Sequence, residues 1–242
     1  MPLIAGFGFL RRTERMKMYI YETHCHTNLV SACSDFTPEQ IVELYVKNGY
    51  AGLFVTDHFL NGNTTVDRSI PYEEQIDAFC RGYEAVKKAA GDKLQVFFGF
   101  EYSYKGTDFL IYGWDKEDLK KQKIILDLSL KQLSVYCRES GVLAVHAHPF
   151  REAGYIDHIR LYPEVEGVEV YNACRNELCN SLSEYYAKAY SKPVTAGTDI
   201  HHFNQKYLGG MAFENELTSV NDFIAAVREG SGKIVKLENK LV

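Results

Sequence analysis

The run Tyr19-Ile20-Tyr21-Glu22-Thr23-His24-Cys25-His26-Thr27 opens as an alternating apolar stretch and closes with two histidines one residue apart. Alternation of this kind marks a strand. Side chains of a strand point to opposite faces in turn, so His24 and His26 share one face and Cys25 takes the other. Two imidazoles converging where a strand ends are the beginning of a metal site. A single His-x-His decides little, because histidine is also a common ordinary side chain. Recurrence decides more.

The pattern does recur. An apolar run at 51–56 exits into Asp57-His58, and one at 94–100 delivers Glu101. A short aromatic run at 107–114 carries Asp108 near its entry, and 142–145 ends in His146-Ala147-His148-Pro149. The run 167–171 precedes Asn172, and 193–198 precedes Asp199-Ile200-His201-His202. Helical patterns separate these runs. Thr37-Pro38-Glu39-Gln40 has the form of a capped helix start with proline in its first turn, and Asn48-Gly49 ends that helix. Further helices are predicted over 72–90, 124–140, 177–190 and 220–228, with a last strand at 233–237. The charged run 115–123 reads as a solvated face, and 61–71, 151–163 and 202–210 read as loops.

Strands alternating with helices imply parallel crossovers. An open parallel sheet gathers its ligands at one crevice, whereas nearly every strand here ends in polar chemistry, which favours a barrel with one common mouth. The 242 residues suit one such domain, and 46% hydrophobic with 24% charged residues is ordinary for a globular core. A net charge of -5 argues against a surface for wrapping nucleic acid and leaves room for a small anionic substrate. The six cysteines form no C-x-x-C pair, and they read as thiols of a reducing compartment. Residues 1–17 place arginines after an apolar piece, the wrong order for a secretory signal. They are expected to be an extension, without required order, on a cytoplasmic domain spanning 18–242. No membrane association is expected.

Collected, the strand exits present His24, His26, His58, Glu101, His146, His148, Asp199 and His201. Burying so many titratable groups together is costly unless cations sit among them. Mixed imidazole and carboxylate donors suit zinc, manganese or iron. The donors suffice for two divalent ions and can extend to a third, with Glu101 placed to bridge a pair that would hold a hydroxide.

His24-x-His26, Thr56-Asp57-His58, Gly99-Phe100-Glu101, Ala147-His148-Pro149 and Gly197-Thr198-Asp199-Ile200-His201 occur in the order of the motifs of the PHP (polymerase and histidinol phosphatase) family, which the chain resembles from Tyr19 to His201. The resemblance implies an α/β fold, a distorted (β/α)7 TIM-like barrel with a trinuclear centre at the C-terminal ends of its strands, and phosphoesterase chemistry. It implies that His24, His26, Glu101 and Asp199 hold the first metal. Glu101 would bridge to a second at His148, and His58 with His201 would contribute to a third.

Two departures bear on that third ion. Ser31-Ala32-Cys33-Ser34-Asp35 stands where many relatives carry an acid or histidine, leaving Cys33 or Asp35 as replacements. Asp108 stands where relatives often have histidine, and either Asp108 or His146 is expected to supply that ligand; with neither, the centre is dinuclear. Arg151 and Arg175 are candidate phosphate clamps, with Asn172 beside the latter. Asp199 or a free histidine is the candidate proton carrier for the leaving alcohol, and Glu101 and Asp199 are the candidate catalytic residues. The expected activity is phosphate ester hydrolysis by a metal-bridging hydroxide on a small phosphorylated compound, nucleic acid entering only as a short substrate. The alternatives are an amidohydrolase-like C–N or ester hydrolase on the same metals, or a non-catalytic module.

Overall fold

A computed structural model describes residues Lys17–Val242, so the expected N-terminal extension lies almost entirely outside the described residues. The strand of the opening run, β1 (Tyr19–Cys25), pairs in parallel with β2 (Gly52–Val55), and β2 pairs in parallel with β3 (Gln95–Phe98). On its other edge β1 meets β9 (Tyr207–Phe213) antiparallel, and β9 pairs antiparallel with β10 (Lys233–Glu238). These make one five-stranded sheet in the order β10-β9-β1-β2-β3. A second five-stranded sheet runs β4 (Phe100–Tyr104), β5 (Thr107–Tyr112), β6 (Leu143–His146), β7 (Gly167–Asn172), β8 (Val194–Gly197).

Two five-stranded sheets of mixed direction thus stand where strands all parallel were expected. Two local features cause the change. Lys105 (φ 51°) and Gly106 (φ 78°) make a tight turn that folds β5 back antiparallel to β4. The segment expected as a loop over 202–210 supplies most of β9, which Gly209 and Gly210 disguise. Those glycines are needed for close approach: a Cβ on Gly209 would lie 2.1 Å from the Gly197 carbonyl oxygen, and one on Gly210 would lie 2.5 Å from that of Tyr21. The sheets meet at two isolated parallel bridges, Cys25 with Ile200 and His58 with Glu101.

Tyr21, Phe54, Met211 and Phe213 of the first sheet pack on Leu110, Tyr112, Leu143, Val145 and Ala196 of the second, forming a core between them. Helix α1 (Pro38–Lys47), with the expected capping box at Thr37 and Gln40, covers the outside of the first sheet together with α3 (Arg81–Ala90). The single helix expected over 72–90 is broken at Cys80 into α2 (Tyr72–Phe79) and α3. The charged run contains a short capped helix, α4 (Lys116–Lys121), with Leu119 fully buried beneath it. The next expected helix begins as a 3-10 turn and becomes α5 (Leu130–Glu139) only after Ser129 caps it. Helix α6 (Glu177–Ala189) lies on β7, and α7 (Val220–Glu229) closes the inner core with Phe223 and Ile224. No described helix is long and apolar enough to cross a membrane.

Candidate metal centre

His24 and His26 share a face, as the alternation requires, with ring centroids 5.1 Å apart. Cys25 points away into the apolar layer beneath α1. The β2 exit adds His58, whose ring stacks on His26 at 4.7 Å, and the bridge between the sheets sets His58 beside Glu101. From the opposite sheet come His148 and Asp199, both carried on backbone with positive φ, 28° and 57°. Such conformations cost a non-glycine residue about 1–3 kcal/mol and persist where surrounding structure imposes them. Here they turn both side chains inward.

Glu101 is the hub. Its Oε1 lies 3.4 Å from His24 Nε2 and 3.4 Å from His148 Nε2, while its Oε2 lies 3.4 Å from His26 Nε2 and 2.8 Å from His58 Nδ1. Asp199 Oδ1 sits 3.4 Å from His24 Nε2 and 3.2 Å from His26 Nε2. Close as they are, these atoms are not aligned as hydrogen-bond partners: His24 Nε2, His26 Nε2, His58 Nδ1 and both Glu101 oxygens are buried without one. Orphaned buried polar atoms are rare, and a set converging on one point fits a cation. Four overlapping groups among the described residues have donor atoms within 4.8 Å of one another: His24, Glu101 and His148; His24, His26 and Asp199; His26, His58 and His201; and Cys174, Asp199 and His201.

Surrounding residues fix the rings. Glu169 Oε1 lies 2.9 Å from His24 Nδ1, leaving the His24 Nε2 lone pair facing Glu101 and Asp199. Its other oxygen accepts the His148 backbone N–H. The Ser31 hydroxyl donates to Asp57 and faces His26 Nδ1 at 3.0 Å, which orients His26 the same way. Glu22 is fully buried and accepts the backbone N–H groups of His24 and Thr198, tying the two sheets together under the centre. Glu22, Glu169 and Ser31 sit on or beside predicted strands, yet nothing in their spacing distinguishes them from ordinary polar positions, and Asp57 is marked only as part of Thr56-Asp57-His58. A carboxylate inside an apolar run, as in Gly167-Val168-Glu169-Val170, is the one available clue.

Burial alone opposes charge on all these groups, and their mutual proximity decides the outcome. Burial lowers His58 and His201, but Glu101 beside the former and Cys174, Cys33 and Asp199 around the latter raise both to about 11. Burial and the neighbouring imidazoles hold His26 down at about 3. Burial pushes Glu101 and Asp199 up, yet the surrounding histidines bring both well below the usual carboxylate range. Burial raises Glu22 to about 7 despite its hydrogen bonds.

Several expected residues fall outside the cluster. His146 is buried in an aromatic box, stacked on Phe109 at 5.0 Å with Tyr162 and Tyr186 at its edges, because the turn of backbone at His148 breaks the shared face of this second His-x-His. Asp108 reaches the mouth only, accepting the Ser103 hydroxyl and pairing with Arg151 at 3.2 Å. Asp35 turns out to the exposed His202, whereas Cys33 lines the cleft near His58 and His201. Asn172 does not face the cleft; it is fully buried and donates to Glu169 and Asp199. Arg175 and Arg151 do line it, Arg175 pairing with Asp199 Oδ2 at 2.9 Å. The cleft above the cluster has a volume of about 400 Å³.

No protein-family model matches the chain, and no curated protein sequence does. Solved structures do. A two-domain protein from Bacteroides vulgatus, described as containing a predicted PHP-like metal-dependent phosphoesterase, superposes with a TM-score of 0.66 at 11% identity over 90% of this chain and 65% of its own. The chain has the PHP-like fold. A lesion-specific endonuclease from Pyrococcus furiosus matches with a TM-score of 0.60 at 13% identity, over 91% of this chain and 58% of its own. An amidohydrolase from Chromobacterium violaceum, solved with bound sulfate, matches at 0.54 and 13% identity, over 89% of this chain and 97% of its own. The chain thus spans less than two thirds of the length of the first two.

Proposed function

We propose that this protein is a metal-dependent hydrolase of phosphate esters with a di- or trinuclear centre. The observation that carries the reading is Glu101, whose two buried oxygens each face two imidazoles and have no hydrogen-bond partner. His24, His26, Glu101 and Asp199 would hold a first ion, Glu101 and His148 a second, and His58 with His201 a third. Bound divalent ions supply Lewis acidity toward a phosphoryl oxygen and lower the pKa of water to about 7 in favourable sites.

The chain's own groups do the rest. Arg175 and Arg151 present guanidinium donors to the cleft, suited to phosphoryl oxygens. Asp199, pinned by Arg175 and Asn172 and kept ionised by the histidines, accepts protons or cations and is a poor acid. Glu169 and Ser31 keep the imidazole lone pairs pointed inward. The reading extends to a cytoplasmic protein acting on small phosphorylated compounds. It takes the two sheets as walls of a distorted barrel, which the two bridges between them support.

The test is metal analysis of the purified protein followed by a phosphoester panel with added Mn²⁺. Wild type is expected to hold at least two ions per chain and to hydrolyse an ester, and Glu101→Gln to lose both properties. Full activity in that variant would end the reading. The amidohydrolase neighbour favours a second reading, C–N or carboxyl ester hydrolysis on the same centre. Amide and lactone substrates in the same panel separate the two.

A further inference from the structure

Beside the metal cleft, and sharing Gly106, Asp108, His148 and Arg151 with it, lies a second cavity of about 380 Å³. Its far wall is apolar: Phe150, Ile156 and Ile159 from the segment after His148, and Leu178 and Leu182 from α6. Three of these are strongly exposed, Ile159 at 72%, Leu178 at 62% and Leu182 at 39%. Exposed large apolar residues scattered singly are ordinary, but a contiguous set lining a concavity marks a binding site. Leu178 and Leu182 stand one helical turn apart, and Cys179 anchors the opposite wall by donating its thiol to the Phe150 carbonyl.

Two arginines at the rim are held by the protein, and the exposed Glu152 stands beside them. Arg151 pairs with Asp108, and Arg160 donates to the Lys105 carbonyl at 2.9 Å, fastening the 151–163 segment to the tip of the β4–β5 turn. Gly106 makes that contact possible, since a Cβ there would lie 2.7 Å from the Arg160 guanidinium. The far wall of the cavity is thus apolar, its two rim arginines are held in place, and its mouth is His148 of the metal cluster.

We propose that this cavity receives the leaving group of the substrate, and that the group is an uncharged, apolar ring system rather than a polar sugar or polyol. The inference rests on the phosphoesterase reading and deepens it. A phosphoryl group over Glu101 and His148 would project its ester oxygen toward His148, and a ring attached there would enter between Phe150 and α6. Removing apolar surface from water at such a wall gives the preference for rings.

The test compares two esters of the same phosphate, 1-naphthyl phosphate and glycerol 2-phosphate, with Mn²⁺-loaded protein. Wild type is expected to prefer the naphthyl ester in kcat/KM. Leu182→Glu, at an exposed helical position where the fold tolerates charge, is expected to lower the naphthyl-to-glycerol ratio by roughly tenfold or more. Tyr185→Glu, on the same helix, 72% exposed and outside the cavity, is expected to leave the ratio unchanged. An unchanged ratio in Leu182→Glu, or no preference in wild type, overturns the proposal while leaving phosphoester hydrolysis standing. Failure to hydrolyse either ester overturns the reaction instead. Fluorescence titration with 1-naphthyl phosphate then decides the cavity: binding weakened by Leu182→Glu supports it, and no binding overturns it. A wild-type dimer split by Leu182→Glu would assign the apolar wall to a second copy of the chain and also overturn the proposal.

Discussion

Glu169 touches no cleft and carries no motif, yet it holds His24 by one oxygen and the His148 backbone by the other. Carboxylates in this position set the tautomer and basicity of a ligand, and losing one commonly costs 10–100-fold in metal affinity, as a rough range. Glu169→Ala is therefore expected to weaken metal binding about 10–100-fold, measured by competition with a chelator. Affinity within twofold of wild type would mean that His24 orients itself. His146 gives the opposite expectation. Both its ring nitrogens are buried without partners, and burial holds its pKa down at about 3. His146→Phe preserves the stacking on Phe109 and removes an unsatisfied donor, so metal content is expected to stay constant and stability to hold or rise by about 1 kcal/mol in urea unfolding. Loss of an ion would restore His146 as a ligand.

Among the elements, the break between α2 and α3 has a purpose that the helical pattern conceals. It places Gly82 against the centre's support, where a Cβ would fall 2.3 Å from Asp57 Oδ2 and 2.6 Å from Thr27 Oγ1. Asp57 in turn receives the Thr27 backbone and both hydroxyls that steady the His26 loop. Gly82→Ala is expected to destabilise by roughly 1–3 kcal/mol through this overpacking and to weaken metal binding with it, although alanine is the better helix former. A urea midpoint at or above that of wild type would show that α3 can simply move outward.

For the whole molecule, the metal is expected to be part of the stability. The centre packs carboxylates and imidazoles from both sheets into a buried volume, and ions that bind only the folded state stabilise by mass action. At a free concentration a hundredfold above Kd this amounts to about 2.7 kcal/mol, or roughly 5–10 °C in Tm for a chain of this size. Chelation should lower Tm by that order, and Mn²⁺ should restore it. The sign of the pH effect follows from His58 and His201, raised to about 11 without metal by the anions beside them. Both carry protons at neutral pH and must release them to coordinate, so affinity should rise with pH. Calorimetry in two buffers of different ionisation heat checks this; metal binding without proton release would mean that these two rings are neutral before the metal binds or do not coordinate it.

By itself the sequence determined which residues could be ligands and where strands would expose them, because the two-residue period of β structure and the repetition of apolar run followed by His, Asp or Glu are local properties. That is why His24, His26, His58, Glu101, His148, Asp199 and His201 were legible together. Only the tertiary structure decided the sheet directions, the concealment of β9 behind Gly209-Gly210, the exclusion of His146, and the recruitment of Glu22 and Glu169. Each of these depends on how closely two distant backbones approach or which way one residue's φ turns. Interactions between segments set both, and no spacing along the chain encodes them.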